Sequence, residues 1–269
     1  MSLLEVTGLR VAAADGRELV RDVSFAVDAG ERLGLIGESG SGKSLTALAI
    51  MGLLPAGMTV AGGVVLDVPG LGRTEVAGLA EQRLNALRGR AATVVFQEPL
   101  TALDPLMRVG RQLAEPLRRR RGLRGAALRA AVRAALTEVR LAEPDRIAKA
   151  FPHQISGGQR QRVAIAMALA CEPALLIADE PTTALDVTVQ ADVLALLDAL
   201  VREKGMALLF ISHDLAVVSA VTDRVVVLKD GVAVESGAVA DIVRAPAHPY
   251  TRSLVASARE LDSALDLAP

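Results

Sequence analysis

Apolar and polar positions alternate through residues 3–30, with Leu4, Val6 and Leu9, then Leu19, Val23, Phe25 and Val27 on the apolar side. A period near two predicts antiparallel strands, with turns at Asp15-Gly16 and Ala29-Gly30. The short apolar run Arg32–Ile36 predicts a buried strand, and Leu45–Met51 a helix. Further strands are expected near 60–68 and over Thr93–Phe96. From about 98 to 160 the composition shifts to Arg, Ala and Leu, and the period becomes helical around 106–120 and 125–139. From 174 onward the pattern alternates again: a strand over Leu175–Ala178, a helix near 188–203, a strand over Ala207–Ile211. Strands alternating with helices predict an α/β fold with a mainly parallel core sheet. The N-terminal strands form an antiparallel β subdomain, and residues of about 98–170 form a helical insertion. Residues 240–269 read as a short C-terminal extension after a domain of 1–239.

Between the predicted strand at 32–36 and the helix that follows stands Gly37-Glu38-Ser39-Gly40-Ser41-Gly42-Lys43-Ser44, which matches the phosphate-loop pattern G-x-x-x-x-G-K-[ST]. The glycines let successive backbone N–H groups curl round a phosphate chain. Lys43 can reach the outer phosphates, the Ser44 hydroxyl can ligate Mg²⁺, and the helix N-terminus faces the same anion. Strand, loop and helix is the order this chemistry needs, and a nucleoside triphosphate is the natural guest.

The 269 residues are 51% hydrophobic and 23% charged, enough for a sizeable core, and the net charge of −1 offers no basic field for nucleic acid. With no Trp, one Tyr and four Phe, stacking platforms for single strands are scarce. The one cysteine, Cys171, excludes an intrachain disulfide and reads as a small core residue in an apolar helical stretch; the three histidines show no metal-ligand spacing. No secretory signal is expected, since Glu5 and Asp15 interrupt the start. Residues 44–66 carry no charge, but Gly52, Pro55, Gly57, Gly62 and Gly63 break them into helix, turn and strand rather than a membrane span. The run Arg118–Arg121 reads first as a solvated helix end, and second as a contact with lipid headgroups or an acidic partner.

Two more stretches carry chemistry. Leu175-Leu176-Ile177-Ala178-Asp179-Glu180 is an apolar strand ending in two carboxylates. Asp179 could hold Mg²⁺, and Glu180 could polarise an attacking water; otherwise the pair would only cap a turn before Pro181. Ser156-Gly157-Gly158-Gln159 opens an apolar helix with capping-box spacing. Two glycines just inside a helix are costly and make sense where a backbone must approach a ligand.

Phosphate loop, Gln97, Ser156–Gln159, Asp179-Glu180, Ala184-Leu185-Asp186 and His213 occur in the order and approximate spacing of the ATP-binding-cassette (ABC) ATPases, which the chain resembles over about residues 3–235. S-G-G-Q is that family's signature, with Ile155 here where Leu is usual. The resemblance implies that Gln97 senses Mg²⁺ and the attacking water, and that Glu180 is the catalytic carboxylate. It implies that His213 bonds the γ-phosphate, that Ser156, Gly157, Gly158 and Gln159 contact the nucleotide of an opposite subunit, and that Asp186 couples the two sites. A head-to-tail dimer follows, with ATP as glue. The family's adenine-stacking aromatic is missing: Ala12, Ala13 and Ala14 stand there.

Val95–Pro105 resembles the Gln-loop of the oligopeptide/dipeptide/nickel importer subfamily, and Ala247-His248-Pro249-Tyr250-Thr251-Arg252-Ser253-Leu254 resembles its H-P-Y-T element, physically a Pro-bounded turn opening a last helix. The resemblance implies a peripheral ATPase at the cytoplasmic face of a bacterial cell membrane. Its partners would be a second, identical or paralogous ATPase subunit, two membrane permease subunits docked near Gln97–Pro105, and an extracytoplasmic solute-binding protein, with no nucleic acid. The alternative is a soluble cassette ATPase acting on nucleic acid or ribosomes, which often carries two cassettes or basic linkers.

Overall fold

A computed structural model of the chain describes residues 2–97, 102–183 and 185–265, the side chains of 260–265 excepted. The chain divides into two compact units, residues 1–85 with 207–269, and residues 86–206.

In the first unit, β1 (Ser2–Ala12) and β2 (Glu18–Asp28) form the antiparallel pair that alternation predicts, with Leu4 opposite Val27 and Val6 opposite Phe25. β4 (Thr59–Val68) pairs antiparallel with β1, and the short β5 (Gly72–Glu75), which the pattern did not foresee, pairs with β4. The buried β3 (Arg32–Ile36) lies parallel between β8 (Ala207–Ser212) and β9 (Arg224–Lys229), Leu35 meeting Ile211 on one side and Val226 on the other. β10 (Val232–Ala238) returns antiparallel along β9 and touches β2, so the strand order within this unit is β5-β4-β1-β2-β10-β9-β3-β8. Leu33, Leu35 and Ile36 are at most 1% exposed. At about 1.5–3 kcal/mol per buried side chain, burial holds this five-residue strand.

Helix α1 (Lys43–Met51) follows β3, and the uncharged stretch 44–66 resolves into this helix, a turn and β4, as read. Among the described residues no helix is long and apolar enough to cross a membrane. α2 (Glu81–Leu87) precedes the strand β6 (Ala92–Val95). Near the C-terminus, α8 (Leu215–Val221), α9 (Val239–Arg244) and α10 (Pro249–Leu265) belong to the first unit. The last two are more than an extension: Ile242, Tyr250 and Val255 are buried.

The second unit pairs β6 parallel with β7 (Leu175–Asp179), Val95 opposite Ala178. Its helices are α3 (Val109–Arg121), α4 (Gly125–Glu138), α5 (Pro144–Lys149), α6 (Gly157–Leu169) and α7 (Val187–Lys204). The three that periodicity predicted are found to within a turn. Leu113 and Leu117 of α3, Leu136 of α4 and Ile147 of α5 are buried where these three helices pack together. Buried Gln112 fixes the approach to α3: its Oε1 accepts from Asp104 N–H, and its Nε2 donates to the Asp104 and Met107 carbonyls.

Of two further expectations, the solvated helix end is met and the core cysteine is not. The Arg118–Arg121 run is the last turn of α3, where cations favour the helix dipole. Arg118 and Arg119 pair with Glu115, and Arg121 with Glu172 at 3.3 Å, so much of the charge is met locally. Cys171 lies in the turn after α6, not inside a helix, and is half-buried rather than core. Burial pushes its thiol up against the opposing pull of Arg120 and Arg121.

Candidate nucleotide site

The phosphate-loop residues sit where the motif needs them, between the end of β3 at Ile36 and the start of α1 at Lys43. Gly37 is dictated by close approach: a Cβ there would lie 2.2 Å from the Leu228 carbonyl oxygen. Gly42, at φ 97°, takes the left-handed turn into α1 and offers that helix no side-chain cap. The loop is braced by Ser41 N–H donating to the Glu38 carbonyl at 3.1 Å and Gly231 N–H donating to the Ser41 carbonyl at 3.2 Å. Lys43 is 4% exposed, and its ammonium donates to the carbonyls of Gly37 at 2.7 Å and Glu38 at 2.9 Å. Glu38, Ser39, Gly40 and Ser44 are exposed.

This cradle suits a triphosphate. The Ser41 hydroxyl is buried without a hydrogen-bond partner, an unmet polar group of the kind a ligand oxygen satisfies. The buried Lys43 cation and the uncapped start of α1 both favour an anion. Ser44 in this loop offers a hydroxyl and Asp179, in the second unit, a carboxylate; each is a hard oxygen donor of the type Mg²⁺ prefers.

One contact to the loop was not read from the sequence. The Tyr250 hydroxyl, from α10, accepts the Glu38 N–H at 2.8 Å. Tyr250 had been singled out only as part of the H-P-Y-T element, and nothing local in the sequence links it to a loop 212 residues away.

In the second unit, β7 delivers Asp179, 6% exposed, and then Glu180. Glu180 has φ 47°, a left-handed backbone that costs a non-glycine residue about 1–2 kcal/mol. Its Oε2 accepts from Thr183 Oγ1 at 2.9 Å and from Gln97 Nε2 at 3.3 Å. Glu180 thus closes a turn that runs through Pro181 to Thr183, not the turn before Pro181 that the bland reading expected. The contact with Gln97 joins residues 83 positions apart, each just past the end of one of two neighbouring parallel strands. Thr183 was not foreseen; its spacing of three from Glu180 was the available signal.

Ser156 N-caps α6. Its Oγ accepts Gln159 N–H at 3.3 Å, and Gln159 Oε1 accepts Ser156 N–H at 3.0 Å, completing the capping box. Gly158 has an internal reason: a Cβ there would lie 2.6 Å from Val189 Cγ1. The close approach read from the paired glycines is, at Gly158, that of α7. Gly157 has only ordinary contact with Leu185, at 3.7 Å, and is exposed. Asp186 N-caps α7, accepting from Val189 N–H at 3.0 Å. His213, in the first unit, is exposed one residue past β8, while Asp214 caps α8. Glu98–Thr101 of the Gln-loop stretch and Ala184 lie outside the described residues.

Comparison with known proteins adds ancestry. The family model described as ABC transporter matches residues 20–183. The oligopeptide transport ATP-binding protein OppD of Salmonella typhimurium is 48% identical over 265 residues, which cover 97% of this chain and 77% of OppD. The glutathione import ATP-binding protein GsiA of Escherichia coli is 46% identical over 269 residues; these cover 97% of this chain but 42% of GsiA, so the chain spans under half of that relative's length. Among solved structures, the dimeric post-hydrolysis state of the ATP-binding cassette MJ0796, bound to ADP and Pi, matches with a TM-score of 0.75 and 29% identity, over 88% of this chain and 98% of that one. With a phosphate loop of the required geometry, the family model and relatives matched along nearly its whole length, the chain belongs to the ABC transporter family.

Proposed function

We propose that the chain is the ATP-binding and ATP-hydrolysing subunit of an importer for peptides or a related small solute. The observation that carries the reading is the Glu180 carboxylate, set at the end of a buried strand and touched by the Gln97 amide. A carboxylate so placed can accept a proton from an attacking water, and the amide can orient that water. In the phosphate loop, Lys43 neutralises charge on the outer phosphates, and Ser41 and the start of α1 hold the remaining oxygens. Ser44 and Asp179 are the proposed Mg²⁺ ligands. When bound, the ion supplies charge neutralisation on the phosphate chain. His213 is proposed to bond the γ-phosphate.

Ser156 to Gln159 are proposed to complete the site of a second ATPase subunit, head to tail, with Asp186 coupling the two. The exposure of Ser156 and Gly157 supports that reading, since a helix N-terminus open to solvent can meet an anion from elsewhere. The names of OppD and GsiA, oligopeptide transport and glutathione import, support a peptide or peptide-like solute. They disfavour the nucleic-acid alternative, as does the net charge of −1. The remaining partners would be two membrane permease subunits and an extracytoplasmic solute-binding protein, with this chain peripheral on the cytoplasmic face.

Co-purification from native membranes in mild detergent, with partners identified by mass spectrometry, tests the assignment. Two permeases and a solute-binding protein are the expected company. Ribosomal or DNA-associated partners alone would overturn the importer reading while leaving the ATPase chemistry intact.

A further inference from the structure

The H-P-Y-T element is anchored at three points within the first unit. The Glu235 carboxylate, on β10, accepts two successive amides where the element begins, Ala247 N–H at 2.8 Å and His248 N–H at 2.9 Å. His248 Nδ1 then accepts Tyr250 N–H at 3.2 Å, closing the first turn of α10. The Tyr250 ring, 6% exposed, lies under the Lys229 ammonium, which stands 5.0 Å from its centroid at the end of β9. From that clamped ring the hydroxyl reaches Glu38 N–H at 2.8 Å.

The far side of this contact is the phosphate loop itself. The Gly37–Glu38 peptide presents its N–H to Tyr250 and its carbonyl, that of Gly37, to Lys43 Nζ at 2.7 Å, and the next carbonyl, that of Glu38, accepts from Lys43 Nζ at 2.9 Å. The same Glu38 carbonyl accepts Ser41 N–H at 3.1 Å. Fixing Glu38 therefore fixes the orientation of the carbonyls that aim Lys43. Glu38 is otherwise an exposed lip residue with a glycine on one side, the sort of segment that loses most conformational freedom when a ligand orders it.

We propose that Tyr250 is a positioning residue for the nucleotide: its hydroxyl holds the phosphate loop in the shape that receives the phosphate chain, so the C-terminal helix α10 sets nucleotide affinity without touching nucleotide. The consequence is a split. Affinity depends on the contact, because a held loop is ordered before binding. Turnover at saturation does not, because Tyr250 acts only through Glu38. The proposal rests on the reading of the loop as a nucleotide site.

The test uses the full chain. Tyr250→Phe keeps the ring and its burial and removes only the hydroxyl. Loss of one hydrogen bond that preorganises the loop is expected to raise the Kd for ATP roughly 3- to 10-fold, with kcat at saturating ATP within about twofold of the parent. Amide hydrogen exchange of the nucleotide-free protein gives a direct readout: Glu38 should exchange faster in Tyr250→Phe, while amides of β3 and β8 keep the parent rates. Glu235→Gln, which weakens the hold on α10, should shift Kd in the same direction and by less. Unchanged Kd and Glu38 exchange in Tyr250→Phe would overturn the proposal, as would uniformly faster exchange across β3 and β8, which would mark a merely structural role. Lys43→Ala separates this from the parent reading. If it abolishes nucleotide binding while Tyr250→Phe leaves binding untouched, only the strut fails. If the unmodified chain binds no nucleotide, the nucleotide reading itself fails.

Discussion

The phosphate loop and the start of α6 are both glycine-bearing helix N-termini, and they solve the problem of unpaired amides in opposite ways. At the phosphate loop the helix has no side-chain cap, a buried lysine aims inward, and a buried serine hydroxyl lacks a protein partner. At α6, Ser156 and Gln159 cap each other, and the residues Ser156 and Gly157 face outward. The first site keeps the Ser41 hydroxyl unmet from within, beside a buried cation, so it should bind anion by itself. The second is satisfied at rest, so it should act only when something brings an anion to it. Binding and turnover are thereby assigned to different places in the chain.

The largest effect expected is on turnover. Glu180→Gln should reduce ATP hydrolysis by roughly 10²–10⁴ while leaving ATP affinity near that of the parent; steady-state phosphate release beside a titration with labelled ATP measures both. Near-normal turnover would remove Glu180 from the chemistry. Next, Lys43→Ala should weaken ATP binding by about 10- to 100-fold, since it removes the cation aimed into the cradle. Unchanged affinity would break the first half of the comparison.

Smaller effects test whether the second helix start is built by packing. Gly158→Ala should destabilise the protein by about 1 kcal/mol, because its Cβ would meet Val189 at a distance no side chain tolerates unshifted. Adding Val189→Ala should restore most of the loss, read from urea midpoints; failure of the rescue would mean that Gly158 is not required by α7. Smallest is the behaviour of Cys171, whose half-buried thiol is held protonated by burial. At pH 7 it should alkylate several-fold more slowly than a free cysteine, and rapid labelling would show that the turn after α6 does not stay seated.

Much of this was legible in the chain. The period-two stretch found β1 and β2, and the phosphate loop, Asp179-Glu180 and the Ser156 capping box all announce themselves by local spacing. What stayed hidden is either short or non-local. β5 is four residues of Gly-Arg-Thr-Glu with no apolar alternation to mark it, and it exists because β4 offers an edge. The Tyr250–Glu38 contact joins the two ends of the chain and has no signature within any window. Gly158 was read as a ligand approach because composition cannot say which neighbour, ligand or helix, needs the space.

The central claim is that binding and turnover are separable, and one variant tests it. Ser156→Asp keeps an N-cap acceptor for α6 but sets a negative charge where a second subunit's phosphate is proposed to lie. ATP affinity should be measured on the isolated chain of that variant, and ATP turnover on the purified transport complex that contains it. The account predicts an affinity within about twofold of the parent for the isolated chain, with turnover in the complex reduced at least about 100-fold. Turnover near the parent's, or an affinity of the isolated chain that falls in step with turnover, would contradict it.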